Sequence, residues 1–441
     1  MSARPASLVL AALLIGGVAQ AGIRIEITQG VEGAQPVAVV PFLWEGEGLP
    51  EGRSPPDLAG VIAADLARSG RFKPIPPDAQ PQAPAAAQRL DAALWRTAGI
   101  DYVVVGRVAA AKVEGRPGLT VRFQLFDALR GSQVLSYTLP VAGLEARAAA
   151  HRIADMVYEK LTGQPGAFST RIAYVTELRD GDVRRYALVV ADSDGENPQG
   201  VVQSVEPLMS PSWSPDGRRL AYVSFENKLP QVFVQELASG KREAVSSRSG
   251  VNGAPAWSPD GTRLALTLSS SEGNLDLFVL ELRSRQLTRL TSSPAIDTEP
   301  AWYPDGKRLA FTSDRGGGPQ VYEVDAAGKG TRRLSFEGDW NARPVIAPDG
   351  RSMALITREA GQFRVAVLDL ARGDLRVLTE GRLDESPSFA PNSSIIIYAT
   401  EHRGRGVLAA VSVDGRVRQR LALSDGDVRE PAWGPYPAAR Q

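Results

Sequence analysis

The chain has 441 residues, 50 Lys plus Arg against 50 Asp plus Glu, two His and no Cys. A charge sum of zero argues against a basic protein built to bind nucleic acid. The missing Cys excludes disulfides, thiolate zinc sites and cysteine nucleophiles, and two His leave little for a His-dependent triad.

The first residues read as an export signal. Arg4 is followed by an apolar run from Ser7 to Val18, then the small-x-small site Ala19-Gln20-Ala21. The run falls short of the roughly 20 residues that a spanning helix needs. Cleavage after residue 21 is expected to leave Gly22 first, with 49 basic and 50 acidic side chains, a net charge of −1. No Cys follows the run, so no lipid anchor is expected. An exported chain without cysteine suits a bacterial periplasm.

Residues 22–165 read as an α/β domain whose first stretch, 22–33, is an extended segment. Ile23, Ile25 and Ile27 alternate with polar residues, a strand signal. Residues 36–42 read as a second strand. Asp57 can cap a helix carrying Leu58, Ile62 and Leu66 at helical spacing and ending at Gly70. A Pro-rich loop covers 74–84, a helix 90–98 and a strand 102–108. A hairpin over 119–126 and 133–139 turns at Arg130-Gly131, and an amphipathic helix covers 144–161.

Residues 168–436 are a repeat array. Pro211-Ser-Trp-Ser-Pro-Asp-Gly-Arg-Arg-Leu220-Ala-Tyr recurs from Pro255 and Pro300, more loosely from Pro344 and Pro387, and breaks off after Pro431. The Trp, Ile or Phe of each phrase stands at 213, 257, 302, 346, 389 and 433, at spacings of 44, 45, 44, 43 and 44. Each copy holds four short strand signals, which predicts four-stranded propeller blades. The last copy supplies one strand, and Ile172 to Gly195 match the missing ones. Six blades therefore close, the last one shared by both ends of the array. The Trp of the phrase is expected to pack between blades.

No catalytic constellation is apparent. Ala191-Asp-Ser-Asp-Gly195 only resembles a nucleophile elbow and falls at a repeat turn, and Arg315-Gly-Gly-Gly318 falls where a blade hairpin belongs. His151 and His402 lie in different domains, with no evident partners. The loops entering the innermost strands carry Val251, Asn252, Ala254, Asp297, Thr298, Glu299, Asn341, Arg343, Asp384, Glu385, Arg429 and Glu430. Asn252, Asp297, Asn341 and Asp384 share one position, three residues before the repeat Pro. Their side chains are expected to converge on one mouth of the channel, suiting a protein loop or terminus. Ca²⁺ held by oxygens is an alternative, as is a bare rim. A hydrolase or lyase would draw on Glu299, Glu385 and Glu430. A carbohydrate sensor would need exposed aromatics, and these loops offer only Trp340.

The whole-chain order resembles the TolB family of the bacterial Tol-Pal system. The residues that carry the resemblance are Asn252-Gly253-Ala254-Pro255, Thr298-Glu299-Pro300-Ala301-Trp302, Pro319-Gln320-Val321-Tyr322, Leu383-Asp384-Glu385-Ser386-Pro387 and Pro431-Ala432-Trp433-Gly434-Pro435-Tyr436. The resemblance implies a periplasmic adaptor, not an enzyme, that binds the lipoprotein Pal at the propeller mouth. Ala254 and Thr298 match family positions in that contact, and the family often has His where this chain has Val251. It also implies that the mature N-terminus, here Gly22, Ile23, Arg24, Ile25, Glu26 and Ile27, engages TolA, an inner-membrane protein. Docked on its own first domain, the segment would be silent. The implied role is outer-membrane integrity and constriction at division, by a monomer without a cofactor.

Overall fold

The computed structural model describes residues 23–30, 33–45, 57–82, 90–143, 146–423 and 426–437. The expected signal (1–21), Gly22 and the first two residues of the helix predicted at 144–161 lie outside the described residues.

The first domain is an α/β layer. Its sheet runs in the order Phe72–Pro74, Gln35–Val39, Tyr102–Val113, Arg116–Asp127, Ser132–Ala142, with Leu43–Glu45 also paired to Tyr102–Val113. Helices α1 (Leu58–Arg68) and α3 (Ala146–Thr162) cover one face, burying Ile62, Leu66, Ile153 and Val157 against Val37, Val121 and Leu125. The short α2 (Ala92–Thr97) buries Trp95 on the other face, against Val103 and Val105. Asp57 caps α1 by accepting from Gly60 N at 2.8 Å. Gly70 ends it with φ at +66°, and a Cβ there would lie 2.1 Å from Val417 of the second domain. The helix stop is thus also a point of close domain approach.

The second domain is a six-bladed propeller of four-stranded antiparallel blades. The innermost strands of blades 1 to 5 are Leu208–Trp213, Asn252–Trp257, Asp297–Trp302, Asn341–Ile346 and Glu385–Phe389. Blade 6 joins Asp427–Trp433 to Arg171–Asp180, Val183–Asp192 and Gln199–Ser204, so the ends of the array share one sheet as the repeat arithmetic requires. The phrase Trp residues lock neighbours together. Nε1 of Trp213, Trp257 and Trp302 donates to the carbonyl of Ala432, Ser212 and Ala256 on the preceding blade, at 3.0, 3.1 and 3.2 Å. Arg171, Arg219 and Arg263 lie over the same three rings.

The N-terminal segment, which would be silent if docked on the first domain, pairs instead with the propeller. Ile23–Gln29 adds a fifth, outermost strand to blade 5, antiparallel to Arg418–Leu423. That outer strand offers unpaired backbone groups along its length, as do Ser132–Ala142 of the first domain and the outer strands of the other blades, so a free edge permits this pairing without selecting it. Ile25 packs toward the core of blades 5 and 6, while Ile27 stays 42% exposed.

Candidate functional site

The propeller mouth is shaped by a repeated distortion of the backbone. Each innermost strand slips register once, beside a residue with positive φ that precedes the repeat Pro. These residues are Ser210, Ala254, Glu299, Arg343, Ser386 and Glu430, with φ between 46° and 56°. A left-handed residue before Pro is disfavoured and costs about 1–3 kcal/mol, so the surrounding sheet must impose it. A bulge re-aims its side chain, and here it does so six times around one ring.

Three of the re-aimed residues form a charged network. Arg343 Nη2 donates to Glu430 Oε2 at 2.6 Å, between innermost strands two blades apart. Glu430 also accepts from Ser210 N at 3.3 Å. Glu299 Oε2 accepts from Arg343 N at 2.9 Å and from Thr312 Oγ1 at 2.8 Å. Burial works against the Arg343 charge, but Glu430, Glu299 and Glu385 outweigh it and hold the guanidinium firmly protonated. Burial and the neighbouring Glu430 charge push the Glu385 carboxyl up, against the pull of Arg343 and Arg429.

Asn252, Asp297, Asn341 and Asp384 do not converge on the channel, contrary to the sequence reading. All four are at most 1% exposed. Asn252 Oδ1 accepts from Ser246 Oγ at 2.6 Å and Arg248 N at 3.0 Å. Asp297 takes both bonds of Arg315 Nη2, at 2.9 and 2.8 Å. Asn341 Nδ2 donates to Gln320 Oε1 at 2.9 Å and Glu337 O at 2.7 Å. Asp384 Oδ1 accepts from Thr400 Oγ1 at 2.5 Å. These side chains close the corners of their own blades. The sequence held a signal for this: a polar residue repeated at one position, like the repeated Trp, serves the blade. The pre-Pro position differs from blade to blade, holding Ser210, Ala254, Glu299, Arg343, Ser386 and Glu430, and so has no side-chain role common to all blades.

The geometry does not suit Ca²⁺ at the mouth. Glu430 is held by Arg343, and Glu299 by a backbone amide and a hydroxyl, so a cation would have to displace these donors.

A groove of about 430 Å³ opens beside the network, between blades 3, 4 and 5. Trp340 and Phe363 form its apolar wall, edge to face with ring centres 4.9 Å apart. Ile296 and Leu383 lie at its border and are 47% and 45% exposed. Thr298, Glu299, Arg343 and Glu385 supply the polar side. Val251 is exposed at 39%, on the entry to blade 2, and Arg429 is exposed on blade 6. Phe363 was missed from the sequence; its only signal is that blades 1 and 3 carry Pro230 and Pro319 at the equivalent position. Ile296 and Leu383 stand four residues before the repeat Pro, as Val251 and Trp340 do, so the apolar residue repeated at that position in blades 2 to 5 was a signal that the sequence reading did not use.

This architecture is that of known proteins. The model of the TolB beta propeller domain matches residues 158–437, and that of the TolB amino-terminal domain matches 23–134. The chain belongs to the TolB family. A relative from Thioalkalivibrio sulfidiphilus, named Tol-Pal system protein TolB, is 52% identical over 431 residues, 98% of each chain. One of the same name from Xanthomonas campestris pv. campestris is 49% identical over 422 residues, 95% of this chain and 94% of its own. The crystal structure of TolB from Acinetobacter baumannii is 40% identical, with a TM-score of 0.84 over 94% of this chain and all of that one. Family membership makes the chain a Tol-Pal system protein and thereby a component of the cell envelope. Among the described residues no helix is long and apolar enough to cross a membrane.

Proposed function

We propose that the chain is a non-enzymatic periplasmic adaptor that binds Pal at the propeller mouth and TolA through its mature N-terminus. In this reading it couples the outer membrane to the energised inner membrane and supports envelope integrity and invagination during division. The groove carries the first half. An apolar wall of Trp340 and Phe363 beside a fixed charge network has the anatomy of a protein interface: an aromatic anchor with a polar rim. The contact set is Val251, Ala254, Thr298, Glu299, Arg343, Glu385, Arg429 and Glu430. Asn252, Asp297, Asn341 and Asp384 support it from inside the blades. The lyase or hydrolase alternative is weaker, because Glu299 and Glu430 are engaged by fixed donors and not poised over a free site.

Capture of purified Pal tests this. Wild-type chain is expected to retain Pal, and Thr298→Arg with Glu385→Arg to weaken the complex at least about 30-fold. Both residues lie on the groove surface, so the fold should survive, as circular dichroism can check. Failure of the wild type to bind, or equal binding by the variant, refutes the assignment of the mouth.

The second half rests on the strand Ile23–Gln29. It already adds to a sheet edge within its own chain, so it is chemically able to add to another. Ile23–Gln29 is the outermost strand, so TolA can pair with its free outer edge in place, or with both edges after release from blade 5, a two-state choice. Deleting residues 22–33 is expected to abolish TolA capture while the melting temperature stays close to that of the intact chain. Retained capture would place the TolA site elsewhere.

A further inference from the structure

On the face opposite the mouth, a cleft of about 280 Å³ separates the first domain from the loops of blades 4 and 5. Three arginines line it. Arg71 follows α1 on the first domain, Arg376 lies in the outer strand Leu375–Val377 of blade 4, and Arg416 lies in the hairpin before Arg418–Leu423 of blade 5. All three are exposed. Arg71 lies beside the Tyr158 hydroxyl, and Arg376 Nη2 donates to the carbonyl of Val413. The Arg376 bond uses only part of a guanidinium that has five N–H donors. Neither Arg71 nor Arg376 has a carboxylate at ion-pair distance among the described residues.

One carboxylate, Asp414, shares the lining. It accepts from Ser412 Oγ at 2.5 Å and from Arg416 N at 3.1 Å, while Arg416 Nε stands 4.0 Å away. Burial would raise its pKa, but these bonds and the charges of Arg416 and Arg71 hold it below the usual carboxylate range. The cleft therefore keeps a surplus of two positive charges inside a concave wall, where the field is focused. The cationic groups are all Arg. A planar guanidinium fork matches carboxylate and phosphate oxygens in pairs, which a Lys ammonium cannot do. The spacing of the two walls is fixed by the approach of Gly70 to Val417.

We propose that this cleft binds a small oxyanion-bearing ligand, a polycarboxylate or a phosphate compound, gripped by Arg71 of one domain and Arg376 and Arg416 of the other. Such a ligand would bridge the two domains and stiffen their junction. The site is separate from the mouth and shares no lining residue with it.

Isothermal titration of the chain from residue 22 with citrate, and separately with inorganic phosphate, tests the proposal. Sodium chloride of matched ionic strength is the blank. Saturable one-site binding of at least one probe is expected, and the tighter probe assigns the chemistry as carboxylate or phosphate. Arg71→Gln, Arg376→Gln and Arg416→Gln are each expected to weaken it about tenfold. The three side chains are exposed, so the variants should keep the wild-type circular dichroism spectrum. Heats no greater than the chloride blank for both probes, or wild-type affinity in the triple variant, overturn the proposal.

Discussion

Replacing Asp65 by alanine is expected to cost about 3–5 kcal/mol of unfolding free energy, a loss typical of breaking a buried ion pair from one side. Asp65 lies on α1 and is fully buried. Its Oδ1 accepts from Arg68 Nη2 at 2.5 Å and its Oδ2 contacts His151 Nδ1 at 2.6 Å. The other ring nitrogen of His151 stands 3.6 Å from Asp194, which belongs to the propeller and also pairs with Arg147. Arg68 reaches across as well, donating to the Ser193 carbonyl at 3.1 Å. The variant would leave Arg68 and His151 buried without their shared carboxylate, at the junction of the domains. Urea unfolding measures the loss, and a change below about 0.5 kcal/mol, as for an ordinary surface site, would refute the role. Asp194 adds a pH dependence. Burial opposes its charge, but Arg68, His151 and Arg147 hold its carboxyl below the normal value. Its contribution is thus complete above the unfolded-state pKa of about 4 and is lost as pH falls through the lower folded value. Asp194→Asn should therefore narrow the stability gap between neutral and strongly acid solution relative to wild type.

That clasp illustrates what one chain of residues reveals and what it withholds. The propeller could be read because its information is local and repeated. Pro-x-Trp-Ser-Pro-Asp-Gly sets a strand, a turn and an inter-blade contact in each copy, and the period of about 44 counts the blades. Closure followed because a single orphan strand at one end matched a three-strand remnant at the other. His151 gave no such signal. Its partners lie 86 residues before it and 43 after it, on another helix and in another domain. An amphipathic helix accounts for its position without predicting either contact.

The same reasoning explains the errors. Alternation at Ile23, Ile25 and Ile27 identified a strand, but it does not say which of several free sheet edges that strand joins, a property of the assembled fold. At the mouth, polarity and convergence of loops suggested that Asn252, Asp297, Asn341 and Asp384 face the channel. The bulge that precedes each repeat Pro instead aims the next variable residue there and buries the corner residue. Positive φ at Ala254, Glu299 or Arg343 cannot be read from residues that rarely adopt it. The apolar wall of the groove likewise comes from two positions, Trp340 and Phe363, that only the curvature of blade 4 brings edge to face.

Removing residues 427–441 is expected to have the larger effect of the two terminal truncations: no folded monomer should remain. Asp427–Trp433 is the innermost strand of blade 6, and its loss exposes the edge of Arg171–Asp180 along the channel. Val428 and Ala432 are buried, and Trp433 Nε1 donates to Thr170 Oγ1 at 2.8 Å. The truncation also takes the Ala432 carbonyl from Trp213, the Gly434 amide from the Arg171 carbonyl, and Glu430 from Arg343. Each buried partner left behind costs about 1–3 kcal/mol, and the sum reaches the roughly 5–15 kcal/mol that holds a domain folded. An opened ring also presents a long unpaired strand edge, so aggregation is the expected fate. The strand Ile23–Gln29 makes the contrast. It caps an edge from outside and leaves Ile27 exposed, so its loss removes little buried surface and leaves the ring closed. Soluble yield, gel filtration and thermal unfolding of the two truncated chains compare them directly. A monomeric, cooperatively melting chain without residues 427–441 would show that the shared blade is not what holds the ring together.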